Sequence, residues 1–524
     1  MKSSGPDADV GRVSRTGPSR RDLLRAAGLG SAALATLPGS VLLGGQAEAA
    51  TLPPVPLSSD PVLHLVRRAT YGPTVASLAR ARALGRTAWV DEQLAPWRMD
   101  DSACLRALAR FPALSMTCGQ MASHGRNNSW NLIQQVQLGA FLRQTSSTRQ
   151  LHEMVVEFWA DHFAVQVPSE KVWLGAIDLD RTVLRGKGLG RFADLLVAVT
   201  SHPAMLAWLD NDTSHKDAPN ENLGRELLEL HTVGTGAGYG EADVAAAARV
   251  LTGWSFDRAT GVPVFRADWH DTQPVQVMGF RADNLSATGG RQVGLDLLAY
   301  LARHPATARR IAHKLAVRFV SDDPPAALVQ QLADTYLAHD TAIAPVLRQL
   351  LLSSEFAAST GLKTRRPGED AAATVRVLGG RPSLDTQVAA WSGWRWAMAE
   401  AGHAPRGWPE PNGYPDDAAS WTGAAAIIGR WNMHQGATGG SYGAGIVYPS
   451  LGSLVGARRP TTVGALVDAL SRRVLFQTLS AHDRAVIIGF TGVAAGAPVP
   501  SYWYDFRIKL LITLLLDSPY FALR

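Results

Sequence analysis

The sequence predicts a mainly α-helical protein: a large multi-helix domain with irregular loops and an aromatic, Pro-rich C-terminal part. Two observations carry this. Apolar residues recur at helical spacing over most segments between 60 and 352 and again over 506–516. Strand signals are few and short. A hydrophobic fraction of 46% and fifteen Trp supply a substantial core, and 524 residues exceed what a single core commonly organises.

Taken in order, Ser19-Arg20-Arg21-Asp22-Leu23-Leu24 matches the twin-arginine export pattern. A weakly apolar stretch follows to about Leu43, interrupted by Pro38 and several Gly, and Ala47-Glu48-Ala49 offers small residues for cleavage before Ala50. Residues 1–49 therefore read as a signal peptide. The twin-arginine translocase is its partner, and the mature chain is expected outside the cytoplasmic membrane, secreted or in the cell envelope. A Pro-rich linker fills 50–59. The main helical domain spans 60–365 and the C-terminal helical part 366–524. Asp60-Pro61 gives an N-cap followed by Pro at the first helical position. Further helical stretches cover 74–83, 130–165, 190–210, 221–231, 241–252, 292–303, 305–319, 325–338 and 342–352, with Gly, Pro and Asp at the breaks. Residues 257–292 have no clear period and form a long excursion of the kind that often carries function.

Charge argues against nucleic acid. The formal net charge of +6 falls to +4 without the first 49 residues, and no long Lys/Arg run remains. Cys104 and Cys118 are the two cysteines, compatible with one disulfide or with two buried thiols, and their spacing is not that of a zinc or redox motif. Neither G-K-G-L-G-R at 186–191 nor G-T-G-A-G-Y-G at 234–240 has the strand and Lys-Ser/Thr context of a phosphate loop, so both read as turns.

The most polar stretch is N-E-N-L-G-R-E-L-L-E-L-H-T-V-G at 220–234. Asn222, Glu226 and Glu229 fall at i, i+4 and i+7 and share a helix face, with no Lys to neutralise them. Carboxylates at i and i+3 come about 5–6 Å apart at Cβ, close enough to share a proton or a divalent cation. His162, at the end of a Trp-containing helix, and His270-Asp271, in the long excursion, complete a set of candidates. Glu226, Glu229, His270 and Asp271 are the candidate acid/base residues; His162, Glu226, Glu229 and His270 are the candidate ligands of a divalent metal; Asn222 is a candidate binding residue. The same residues are equally readable as a buried network, with Arg225 pairing a carboxylate of another helix and Asn220 or Asn222 serving as N-cap. In G-W-P-E-P-N-G-Y-P-D-D-A-A-S-W (407–421), Trp408, Tyr414 and Trp421 are candidates for stacking a glycan, against the alternative of core packing.

Six blocks in order resemble one family: H-L-V-R-R-A-T-Y-G-P-T (64–74), E-M-V-V-E-F-W-A-D-H-F-A-V (153–165), H-P-A-M-L-A-W-L-D-N with N-E-N-x-x-R-E-L-L-E-L-H-T-V-G (202–234), D-V-A-A-A-A-R-V-L-T-G-W (243–254), W-H-D (269–271) and H-P-A-T-A-R-R-I-A-H-K-L-A-V-R-F-V (304–320). They are similar to the bacterial exported family known as domain of unknown function 1800 (DUF1800), over roughly 60–520. The resemblance implies a largely helical fold, an envelope or secreted location, and a functional partner of sulfatase-like or phosphatase-like fold encoded nearby. Ala160 departs from the family's usual F-W-H-x-H-F form and removes one histidine of a potential metal pair. Two functions follow: a metal- or carboxylate-dependent hydrolase of an envelope or extracellular glycan, or a non-catalytic scaffold for the sulfatase-like partner.

Overall fold

A computed structural model describes residues 55–384 and 388–524. The twin-arginine segment and the cleavage site lie outside the described residues. The fold is mainly α, with three two-stranded antiparallel ribbons among the described residues.

Local chemistry sets the helix boundaries. Asp60 caps Pro61–Arg68, its carboxylate accepting from Val62 N at 2.9 Å and Leu63 N at 3.2 Å. Thr74 and Ser77 form a capping box for Val75–Leu84. The stretch read as 130–165 is two helices, Trp130–Ser146 and Gln150–His162, because Asp101 captures the intervening chain: it accepts from Ser147 Oγ at 2.9 Å and Thr148 N at 2.7 Å. Likewise 190–210 breaks before Pro203, whose ring cannot donate, giving Phe192–Thr200 and Pro203–Trp208. The excursion at 257–292 holds two short pairings, Trp254–Phe256 with Pro263–Phe265 and Val275–Val277 with Phe280–Ala282.

One contiguous apolar cluster runs from Leu63 to Phe521. At its centre lies Pro367–Val377, every residue of which is buried, packed beside Trp130–Ser146 and Ala424–Gly439. A helix buried all round is normally apolar. This one carries Glu369, Asp370 and Arg376, so the core needs charged partners from other helices. Those partners cross the 365/366 junction: Arg366 pairs with Asp161 at 2.5 Å and Arg318 with Glu369 at 2.5 Å. The chain end is locked in too, with Arg524 N donating to Lys363 O at 2.9 Å. Among the described residues no helix is long and apolar enough to cross a membrane.

Candidate functional site

Asn220 is the N-cap of the polar helix, its side chain accepting from Asn222 N at 2.9 Å. The α-helix runs over Glu221–Glu226 and widens into a π-helical turn at Leu227–His231. Such turns insert one residue into the helical register and recur at functional sites. Gly224 allows the segment to press on Glu241–Val250, where a Cβ would stand 2.7 Å from Ala248 N. Leu223, Leu227, Leu228 and His231 turn inward, leaving Glu226 and Glu229 half-buried and Asn222 exposed.

Arg225 does not neutralise this pair. It bridges outward to Glu241 at 2.6 Å and Glu221 at 3.1 Å. Neither Glu226 nor Glu229 forms a hydrogen bond or ion pair with another described residue. Burial, and then the charge of Glu229, raise the Glu226 pKa above the ordinary glutamate value, with Arg225 opposing. Tyr239 and Arg310 feel the Glu229 charge and complete the surroundings.

Behind the π turn, His162 Nε2 lies 3.0 Å from His231 O, and Lys314 Nζ lies 3.1 Å from His162 Nδ1. The two imidazole rings are 6.4 Å apart. Burial first, then Lys314, hold the His162 pKa well below its ordinary value. The Nε2–H therefore donates to the carbonyl and Nδ1 accepts from Lys314. Burial and Arg310 bring Lys314 down to about 8, against the pull of Asp161 and Asp416. Sequence reasoning missed Lys314 and Arg310; their i, i+4 spacing on H-P-A-T-A-R-R-I-A-H-K-L was the available signal.

The proposed convergence of His162, Glu226, Glu229 and His270 does not occur. Among the described residues, the group of three His, Cys, Asp or Glu with ligand atoms within 4.8 Å of one another is Cys118, Asp178 and His202. His270 is buried elsewhere, its Nδ1 3.1 Å from Thr252 O and its Nε2 3.0 Å from Asn284 Oδ1. Asp271 turns to its own loop, accepting from Gln273 N at 2.9 Å. The His-Asp pair thus pins the excursion to Thr252 and Asn284. The Cys118 group is no open metal site either. His202 Nδ1 accepts from Ala204 N at 3.1 Å, which leaves its proton on Nε2, directed at Asp178 Oδ2 at 3.4 Å. Arg181 already occupies the other carboxylate oxygen. Burial, with Asp178 adding to it, lifts the Cys118 thiol to about 11; both cysteines are buried free thiols.

The aromatic loop is mostly core. Tyr414 and Trp421 are buried, with Tyr414 Oη donating to Ala404 O at 2.9 Å and Trp421 Nε1 to Pro415 O at 2.9 Å. They flank His403 at 4.4 and 5.4 Å between ring centres and offer no open face to a sugar. Trp408 alone of the three is half-buried, tied to Asn412 at 2.6 Å. Asp416 reaches inward to Arg318 at 3.5 Å and Lys363 at 3.3 Å, which anchors the loop.

Residues 64–523 match the family described as protein of unknown function DUF1800. The chain belongs to the DUF1800 family. No curated protein and no solved structure matches it. Many polar residues of the DUF1800 blocks are frame residues in this chain. Arg68 is buried and donates to four carbonyls, those of Phe319, Val320, Ser359 and Arg524. Glu153 is held by Arg185 at 2.8 Å, Glu157 by Arg406 and Asp161 by Arg366. Buried charges of this kind persist only when paired.

Proposed function

We propose that this DUF1800 protein is exported and hydrolyses an extracellular or envelope glycan with Glu226 and Glu229 as an acid/base pair. The observation that carries the reading is the pair's lack of a partner. Glu153, Glu157, Asp161, Asp180 and Glu369 are each held by a guanidinium, whereas among the described residues no cation forms an ion pair with Glu226 or Glu229, and the charge of Glu229 raises the Glu226 pKa. Glu226, whose pKa burial and Glu229 raise above the ordinary glutamate value, is assigned as the acid toward the leaving oxygen. Glu229, as carboxylate, takes a proton from the attacking water. Among the described residues no imidazole joins the pair, so these residues do not fit a multi-ligand metal centre and no step is routed through one.

The test is release of reducing ends from envelope and extracellular polysaccharides by the mature protein. Glu226→Gln and Glu229→Gln should each lower the rate by about 10²–10⁴-fold, the span of a general acid or base. Full activity in both variants overturns the assignment. For export, replacing Arg20 and Arg21 by Lys should retain the protein in the cytoplasm. A second reading, a scaffold for a sulfatase-like partner, is favoured by Trp396 and Ile428, exposed at 58% and 53% on the neighbouring helices Ser392–Glu400 and Ala424–Gly439. Loss of partner binding in Trp396→Ser, with no turnover by the wild type, selects it.

A further inference from the structure

Lys314 is unusual for a charged residue packed this deeply. Among the described residues it has no carboxylate within ion-pair distance, while Lys171 is bound by Asp210 at 2.8 Å and Lys363 by Asp322 at 2.5 Å. Its hydrogen-bond partner is an imidazole nitrogen that accepts, on a ring whose other nitrogen is committed to a main-chain carbonyl. Amine, base and the group that orients the base thus stand in a line, as in activated nucleophiles generally. The side chain is partly solvent-accessible. Four residues earlier on the same helix, Arg310 uses Nε on Leu230 O at 3.3 Å. Its two Nη groups bond to no described residue. Gly234 at φ 87° makes room for them, since a Cβ there would stand 2.8 Å from Arg310 Nη1.

We infer that Lys314, His162 and Arg310 form a site for 2-oxo acids, in which Lys314 bonds covalently to the substrate carbonyl as an imine and Arg310 binds its carboxylate. The Lys314 ammonium, positioned by His162 Nδ1, releases a proton to water, and the freed nitrogen lone pair adds to the carbonyl carbon. The C=O pair moves to oxygen, which takes the second nitrogen proton to give a neutral carbinolamine. Hydronium returns a proton to that hydroxyl, the C–O bond breaks, and water departs to leave a protonated imine. One ammonium and one carbonyl give one iminium and one water. His231, Asp161 and Asp416 also face Lys314, and the two carboxylates oppose deprotonation, so the rate should rise with pH up to about 8. This inference does not rest on a hydrolytic role of Glu226 and Glu229, although Arg310 feels the charge of Glu229.

The chain suits a direct test because it has seven lysines, six of them after residue 50. The full mature protein is incubated at pH 7.5 with glyoxylate or acetaldehyde and cyanoborohydride, and reduced adducts are mapped by peptide mass spectrometry. With glyoxylate, Lys314 should be modified at least about tenfold faster than exposed Lys187, Lys216 and Lys509, because an amine titrating near 8 is free far more often than one near 10.4. Lys314→Arg should lose that adduct and keep the helical circular dichroism. His162→Gln should slow it and move its pH profile. Arg310→Gln should abolish the preference for glyoxylate over acetaldehyde. Modification of Lys314 no faster than the exposed lysines overturns the site. Fast modification without preference for the carboxylate overturns the 2-oxo acid class.

Discussion

Helix Gln150–His162 and segment Glu221–His231 look alike as sequence. Each contains a pair of Glu one turn apart, Glu153/Glu157 and Glu226/Glu229, with an apolar face and a closing His. In the folded chain they differ in what faces the acids. Arg185, Arg366 and Arg406 arrive from distant segments to meet Glu153, Asp161 and Glu157. Along Glu221–His231 the arginine in sequence, Arg225, turns to the surface, and among the described residues no other guanidinium forms an ion pair with Glu226. Whether a carboxylate builds the frame or stays available is therefore a tertiary property, decided by which cations the fold delivers.

The contrast can be broken at its strongest point first. Glu369→Ala would remove the carboxylate shared by Arg318, Arg366 and Arg524 at 2.5, 3.2 and 3.6 Å; Arg366 keeps Asp161 and Arg318 keeps Asp416, while Arg524 loses its ion-pair partner. A loss of about 3–5 kcal/mol is expected for an orphaned buried charge, seen as a fallen urea midpoint or no soluble protein. In the aromatic loop, Trp421→Ala should cost about 3–5 kcal/mol as a core truncation, and Trp408→Ala less than about 1 kcal/mol as a half-exposed one. Both are read from the same unfolding curves.

The pH response distinguishes a paired buried histidine. Burial disfavours charged His434, but Asp370 and Asp517 at 2.6 and 2.7 Å hold its imidazolium, and its pKa rises to about 9. With the folded value above the unfolded one, this stabilisation is complete below pH 6.5 and lost as pH rises through 9. His434→Gln should flatten that alkaline limb in a series of urea titrations. The smallest effect belongs to Glu226. Its raised pKa means the fold resists its ionisation, so stability falls as pH rises from the unfolded value to the folded one. Glu226→Gln should then stabilise at neutral pH, by less than about 0.5 kcal/mol for a half-exposed group.

Most of the architecture was legible because helical period and caps are local: Asp60-Pro61 and Asn220 begin helices where expected. Missed breaks depended on distant groups, as when Asp101 captures Ser147 and Thr148. The site was legible only in part. Glu226 and Glu229 remain together, but His162 meets Lys314 across 152 residues of chain, a contact no spacing rule encodes. Trp269-His270-Asp271 has the composition of an acid/base loop, yet Asn284 and Thr252 use His270 as a pin. Tyr414 and Trp421 have the composition of a sugar platform, yet packing around His403 buries both.

The central claim is that Glu226 and Glu229 form an unneutralised pair. Its most direct test is a carboxyl carbon-13 NMR titration of Glu226 in the wild type and in Glu229→Gln. The account predicts a midpoint above the ordinary glutamate value of about 4.3, moving down when Glu229 loses its charge. A wild-type midpoint at or below that value, or one indifferent to Glu229→Gln, would contradict it.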